Sequence, residues 1–398
     1  MFQRLIKPLI KATAAQYPVV TITGPRQSGK TTLARTLFAR RPYVSLENPD
    51  ARSFALDDPL GFLAQFDRGA VLDEVQHVPP LFSYIQTMVD ADPRPGRFIL
   101  TGSQNFSLLE KVSQSLAGRT AIFHLLPLSQ GELAGRKAIF LDDIGRKLPR
   151  RKPAGGDLFD TLFRGFYPRI HDKGLDPQVW LRNYYQTYVE RDVRTLVNVG
   201  DIEGFGRFVR HCAARSGQLL NLVSLGNDCG ISHDTAKRWL SVLEASFVVY
   251  LLRPYHKNFG KRLVKSPKLY FLDTGLLCYL LRIRSAEDLA IHSARGAVFE
   301  TFVVSELLKA FYNQGRDPDI YFWRDSTGHE IDLLIDSGAE LVPIEVKSGQ
   351  TVAGDFFDSL NYWRRLPGQS GAPVSLVYGG DTTSKRRDGM VYSWRDWL

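Results

Sequence analysis

One segment constrains this chain more than any other: Gly24-Pro25-Arg26-Gln27-Ser28-Gly29-Lys30-Thr31. It has the form G-x-x-x-x-G-K-[ST]. It follows the apolar, β-branched run Val19-Val20-Thr21-Ile22-Thr23 and leads into the helical stretch 31–40, TTLARTLFAR. A strand, a glycine-rich turn and a helix in that order are the setting in which such a loop cradles phosphate. Glycines let backbone N–H groups turn inward around phosphate oxygens, and the start of the helix adds a favourable field. Residues Gly24 to Thr32 are therefore read as the phosphate cradle. Lys30 is expected to reach the β and γ phosphates, and the Thr31 hydroxyl to hold Mg²⁺.

From Pro18 to about Pro127, short β-like runs alternate with helical stretches. Two further runs, Ala70-Val71-Leu72-Asp73-Glu74 and Phe98-Ile99-Leu100-Thr101-Gly102, are apolar and nearly continuous. Strands of that kind are buried on both faces, which predicts a parallel sheet flanked by helices. The first run ends in two carboxylates. The second ends in the small polar residues Ser103, Gln104 and Asn105, which also read as an ordinary strand-to-helix cap. Ahead of the sheet, Phe2, Leu5, Ile6, Leu9 and Ile10 fall at helical spacing, interrupted by Lys7 and Lys11. That pattern predicts an amphipathic helix lying on a core and not a signal peptide.

Composition narrows the class. The chain has 398 residues, enough for two or three domains at roughly 150 residues each. Apolar residues make up 44% and charged residues 23%, ordinary globular usage that argues against wholesale disorder. Three cysteines, Cys212, Cys229 and Cys278, are too few and too scattered for a disulfide framework or a zinc cage. They read as buried small hydrophobes in a reducing compartment. No apolar run approaches the ~18 residues needed to span a bilayer, so a cytoplasmic protein without a membrane partner is expected. The 51 Lys and Arg exceed the 42 Asp and Glu by nine, which permits a polyanionic partner. Residues 136–157, basic and ending in Pro and Gly, read as an exposed connection.

The order of loop, acidic strand, Thr101-Gly102-Ser103-Gln104, Ser115-Leu116-Ala117-Gly118-Arg119 and the 127–133 segment PLSQGEL resembles one family. It is similar to the prokaryotic AAA-type P-loop ATPases that carry a C-terminal domain of unknown function, DUF4143. The segments Arg164-Gly165-Phe166-Tyr167-Pro168, Tyr188-Val189-Glu190-Arg191-Asp192 and 268–275, KLYFLDTG, fit as well. The resemblance implies ATP with Mg²⁺ as cofactor and hydrolysis as the reaction. It implies that Asp73 supports the magnesium and that Glu74 orients or deprotonates the attacking water. It also implies that Ser103 or Gln104 senses the γ-phosphate. Arg119 is then a candidate to stabilise transition-state charge, in a neighbouring subunit if the chain assembles; a ring and a monomer are both compatible with the sequence.

Residues 216–254 read as a winged helix: a helix over 219–225, a turn at 227–231, and a second helix N-capped by Ser232. Ala236, Leu240 and Leu243 define its buried face, leaving His233, Lys237 and Arg238 outward. A helix-turn-helix places its second helix in a major groove. The following stretch holds Arg253, Lys257, Lys261, Arg262, Lys265 and Lys268 with no Asp or Glu, and interleaves Tyr255 and Phe259. Six cations without an acid predict phosphate contacts. The same residues also read as a protein-interaction module with a solvated basic face.

Near the C-terminus, Glu330 to Asp336 and Leu341 to Lys347 form a hairpin pattern around Gly338-Ala339, a two-residue turn with Gly first. That turn puts Asp332 opposite Glu345 and Glu330 opposite Lys347. One face then carries Ile331, Leu333, Ile335, Val342, Ile344 and Val346, and the other carries the charges. Paired carboxylates repel unless a cation or proton joins them, and a hard divalent ion suits them. The D…E-x-K pattern resembles the PD-(D/E)xK nuclease core, which implies a metal site at Asp332 and Glu345 with Lys347 beside it and Glu300 added from a preceding helix. Glu330 and Lys347 also read as a plain cross-strand ion pair.

The expected fold is α/β: a P-loop NTPase parallel sheet with a helical lid, a winged helix and a C-terminal restriction-endonuclease-like α/β domain. The expected segments are 1–135, 136–215, 216–282 and 283–398. The expected function is ATP hydrolysis with engagement of DNA and a nuclease-like domain. The alternative is a nucleotide-dependent protein-interaction switch with slow ATPase and no nuclease activity.

Overall fold

A computed structural model describes residues 2–103, 115–137, 139–149, 154–188, 201–255 and 264–398, except the side chain of Ile202. They fall into two compact units. The first comprises Met1–Leu128, Ala245–Phe247 and Tyr312–Arg316; the second comprises Ser129–Glu244, Val248–Phe311 and Asp317–Leu398.

In the first unit, α1 (Lys7–Thr13) precedes a five-stranded sheet. Its strands are β1 (Val19–Gly24), β2 (Tyr43–Ser45), β3 (Ala70–Asp73), β4 (Phe98–Ser103) and β5 (Thr120–His124), with α2 (Lys30–Leu37) following β1. The strand order is β2-β3-β4-β1-β5 and every pairing is parallel. Period-two alternation divides β1, β3 and β4 between two cores. Val20, Ile22, Val71 and Ile99 join Ile6 just ahead of α1, Ile10 of α1 and Leu33 of α2. Val19, Leu72, Phe98 and Leu100 join Phe82 and Ile85 on the opposite side. Burial of each such side chain is worth about 1.5–3 kcal/mol, which is why a sheet with covers on both sides reads as an unbroken apolar run. The register puts Gly24 beside Ser103, so the phosphate loop, Asp73 and Ser103 meet at one edge of the sheet.

In the second unit, α3 (Ile202–Ala214), α4 (Leu222–Cys229) and α5 (His233–Ala245) are followed by a two-stranded antiparallel ribbon, β6 (Val249–Leu252) and β7 (Lys268–Phe271). Phe205 and Phe208 meet the Trp239 ring edge-on at 5.3 and 5.5 Å, which joins α3 to α5. The helix expected over 219–225 starts and ends later. Asn221 Oδ1 accepts from the Ser224 N–H at 3.0 Å, so Asn221 is the N-cap, and Asn227 to Cys229 are helical. The turn comes at Gly230, whose φ of +68° suits a glycine C-cap. Ser232 caps α5 as expected, accepting from the Thr235 N–H at 3.1 Å.

After α6 (Arg295–Asn313) comes a six-stranded mixed sheet. Its strands are β8 (Ile320–Arg324), β9 (Glu330–Asp336), β10 (Leu341–Lys347), β11 (Ser375–Tyr378), β12 (Ser384–Arg386) and β13 (Gly389–Ser393), in the order β12-β13-β11-β10-β9-β8. The β9–β10 hairpin has the expected register, from Leu341 opposite Asp336 to Ile344 opposite Leu333. Gly338 has a φ of +77°, as the first position of a type II′ turn requires. Strands β8, β11 and β12 were not anticipated as separate elements. The 136–157 connection is also less exposed than expected. Leu141 and Ile144 are buried, and the Gly145 N–H donates to the Tyr392 hydroxyl at 2.8 Å. Phe140 and Leu148 of the same stretch stay exposed, and Arg136 donates to the Arg395 carbonyl at 2.6 Å. No described helix is long and apolar enough to cross a membrane.

Candidate nucleotide site and carboxylate cluster

The phosphate loop depends on its first glycine. Gly24 has a φ of +146°, and a Cβ there would lie 2.2 Å from the Leu125 carbonyl oxygen. Gln27 and Gly29 are also left-handed, at +64° and +96°. Lys30 is 5% exposed and folds back on its own loop, donating to the carbonyls of Gly24 at 3.0 Å and Pro25 at 2.8 Å. Burial lowers its ammonium to about 8, against the pull of Glu74 and Asp73. Pro25, Arg26 and Ser28 complete the loop. Thr32 is exposed in the first turn of α2.

The Thr31 hydroxyl donates to Asp73 at 2.9 Å to Oδ1 and 3.1 Å to Oδ2. A hydroxyl and a carboxylate so placed are a hard oxygen pair of the kind Mg²⁺ prefers, and the residues fit that ion. Asp73 also accepts from Tyr43 Oη at 2.8 Å and from the Thr101 hydroxyl. Glu74 leaves the strand in a left-handed conformation, φ +55°, which turns its carboxylate toward β4. There Oε2 accepts from the Ser103 N–H at 3.2 Å, from the Ser103 hydroxyl at 3.4 Å and from the Gln76 side-chain amide. Burial works to raise the Glu74 carboxyl. Lys30, Gln76 and the Ser103 N–H outweigh it and hold the group below its ordinary range.

Four contributors went unread in the sequence: Tyr43, Gln76, Thr101 and Arg4. Arg4 donates to the Ser28 carbonyl and to the Leu126 carbonyl, both at 2.7 Å, and so props the loop from below. Thr101 had a signal, as a lone hydroxyl in an apolar strand one position before Gly102. Gln104 lies outside the described residues. Arg119 pairs with Asp90 of its own chain, Nη2 to Oδ2 at 2.8 Å, and donates to the Ala117 carbonyl at 3.0 Å.

On α5, His233, Lys237 and Arg238 are exposed, while Ala236, Trp239, Leu240 and Leu243 are buried. Lys265 is exposed; Lys257, Lys261 and Arg262 lie outside the described residues. Lys268 departs from expectation. It points inward, 3% exposed, with Nζ 2.5 Å from Glu330 Oε1, 3.2 Å from Glu300 Oε1 and 3.9 Å from Asp332 Oδ1. It therefore leaves the basic set read as phosphate contacts. Burial works to lower its ammonium, but the three acids raise it above its ordinary value.

The cross-strand pair expected between Glu330 and Lys347 is not formed. Glu330 binds Lys268 and, at 3.1 Å, Arg324, while Lys347 binds Glu345 at 2.6 Å. Asp332 Oδ2 accepts the Val346 N–H at 2.9 Å. Glu345 is buried, and burial and Asp332 push its carboxyl up to about 8, against the pull of Lys347. Among the described residues, no group of three or more His, Cys, Asp or Glu side chains is disposed to hold a metal ion. Glu300 and Asp332 lie together with Glu330 around the Lys268 ammonium, while Glu345 is engaged by Lys347.

A parallel sheet with β1 inside it, a glycine loop at its edge, and Thr31, Asp73 and Glu74 converging there define a P-loop ATPase core. Residues 16–134 match the family described as AAA domain, residues 155–287 a domain of unknown function (DUF8612), and residues 295–397 a domain of unknown function (DUF4143). The chain belongs to the AAA-type ATPases with a C-terminal DUF4143 domain. Two uncharacterized proteins, from Mycobacterium bovis and Mycobacterium tuberculosis, are each 32% identical over 337 residues, covering 84% of this chain and 71% of theirs. Similar solved structures include a Walker-type ATPase of Pyrococcus abyssi, with TM-score 0.42, 12% identity and coverage of 69% and 94%. Thermotoga maritima RuvB overlaps with TM-score 0.30, 21% identity and coverage of 62% and 87%.

Proposed function

We propose that this protein hydrolyses ATP at the loop 24–31 and engages duplex DNA through α5 and the neighbouring ribbon in a nucleotide-dependent manner. The observation that carries the reading is the Thr31–Asp73 contact at 2.9 Å with the Glu74 carboxylate held beside Ser103 at the same sheet edge. Lys30 can exchange the Gly24 and Pro25 carbonyls for phosphate oxygens, regaining full charge as it does so. Thr31 and Asp73 are placed to hold Mg²⁺, which when bound neutralises charge on the transferred phosphoryl group. Glu74 takes the proton of the attacking water. Ser103, beside Gly24 and Glu74, links the γ-phosphate position to that base.

DNA engagement is supported by the exposed His233, Lys237 and Arg238 on one side of α5, with its apolar face buried. Three helices followed by a ribbon agree with a winged helix. Cleavage at Asp332, Glu345 and Lys347 loses support, because Lys268 lies among the carboxylates that a metal would need. A second reading is a protein-interaction switch with slow hydrolysis. It draws on the Glu74 carboxylate being engaged by Gln76 and Ser103.

Fluorescence anisotropy of a labelled duplex, with ADP and with a non-hydrolysable ATP analogue, separates the two. The first reading expects saturable binding that changes with nucleotide and weakens in Lys237→Ala/Arg238→Ala. Absence of DNA affinity with either nucleotide, together with a change in oligomer mass between them, would select the switch.

A further inference from the structure

Strand β7 sends Lys268 into the acids of the C-terminal sheet. Its side chain is 4% exposed and lies within ion-pair reach of Glu300 on α6 and of Glu330 and Asp332 on β9. Each acid is then engaged through at least one oxygen, while Glu345 Oε2 is buried without a hydrogen-bond partner. Glu300 Oε1 also accepts the Tyr270 hydroxyl at 2.5 Å, and Glu330 Oε2 accepts from Arg324 at 3.1 Å. Asp332 Oδ2 is taken by the Val346 amide, and Glu345 Oε1 by Lys347 at 2.6 Å. Three cations, Lys268, Arg324 and Lys347, thus face four carboxyl groups. A divalent ion would need several free oxygens around one point, and that point holds an ammonium.

We infer that Lys268 is the resident cation of this cluster. The chain holds no divalent metal there, and the nuclease-like acids fasten the ribbon to the C-terminal sheet. Removing one member of a buried ion-pair network leaves the others as uncompensated buried charge and is strongly destabilising. The same two parts are joined by backbone nearby, where the Tyr255 N–H donates to the Phe322 carbonyl at 2.7 Å.

Two measurements on the full chain without nucleotide test this. The first is Mn²⁺ titration followed by the electron paramagnetic resonance of the free ion. Wild type and Asp332→Asn are expected to bind Mn²⁺ identically. One Mn²⁺ per chain that persists in Asp73→Asn and disappears in Asp332→Asn would overturn the inference. The second is thermal melting. Lys268→Met is expected to melt about 10 °C lower, and Lys268→Met/Glu330→Gln to regain part of that loss. A Lys268→Met protein that melts with wild type would overturn the inference; one too unstable to purify, while the double variant folds, would support it.

Discussion

The Thr31 hydroxyl lies 2.9 Å from Oδ1 of Asp73, forty-two positions along the chain. That contact spans α2 and β3 across the intervening strand positions and is possible only because the sheet places β3, β4 and β1 side by side. Tyr43 and Thr101 donate to the same carboxylate, so Asp73 is oriented from three sides before any ligand arrives. Such prior orientation lowers the reorganisation that binding would otherwise require.

The folded Lys30 ammonium near 8, against an ordinary 10.5, sets a pH dependence. Between those values the unfolded chain holds more protons than the folded one. The unfolding free energy therefore rises as pH climbs from about 8 to 10.5. Phosphate oxygens favour the charged lysine, so ATP binding should take up a proton at about pH 8.5 and weaken at higher pH. Calorimetry in two buffers of different ionisation enthalpy measures the uptake. Zero proton uptake would contradict the assignment of Lys30.

Gln76 donates to Glu74 and favours its ionised form. In Gln76→Ala the carboxyl should become less acidic. The acid limb of the pH–turnover profile should then move to higher pH by up to about one unit, with the plateau changed less than the limb. An unmoved limb would mean that Gln76 does not act through Glu74.

Gly24→Ala places a methyl group against the Leu125 carbonyl in a backbone conformation unfavourable to alanine. Nucleotide affinity should fall by at least about tenfold, and the melting temperature should drop in the apo protein as well. Both are read by a thermal-shift titration with ATP.

Lys237→Ala/Arg238→Ala removes two exposed cations from α5. The slope of log affinity against log salt should fall by about 1.8, with affinity lower at every salt concentration. An unchanged slope would show that these residues do not meet phosphate.

Much of this was legible from local pattern. Strands β1, β3 and β4 are buried on both faces, so their apolar runs declare themselves, and the loop residues follow from spacing alone. The hairpin register was readable because its turn has two residues with Gly first. Lys268 was not readable. It sits in a run of cations that resembles a solvated face, and its partners lie 32 positions and more downstream, where only the tertiary fold brings them close. The Asn221 cap was passed over because Leu219 and Leu220 extend the apolar pattern ahead of it. Tyr43 and Arg4 act through long side chains onto groups that no periodicity connects to them.

Steady-state phosphate release by Glu74→Gln, measured beside equilibrium ATP binding by the same variant, tests the nucleotide site most directly. The account predicts ATP binding within about threefold of wild type and turnover lower by roughly two to four orders of magnitude, since the variant keeps the cradle and loses the base. Turnover equal to wild type, or no ATP binding by either protein, would contradict it.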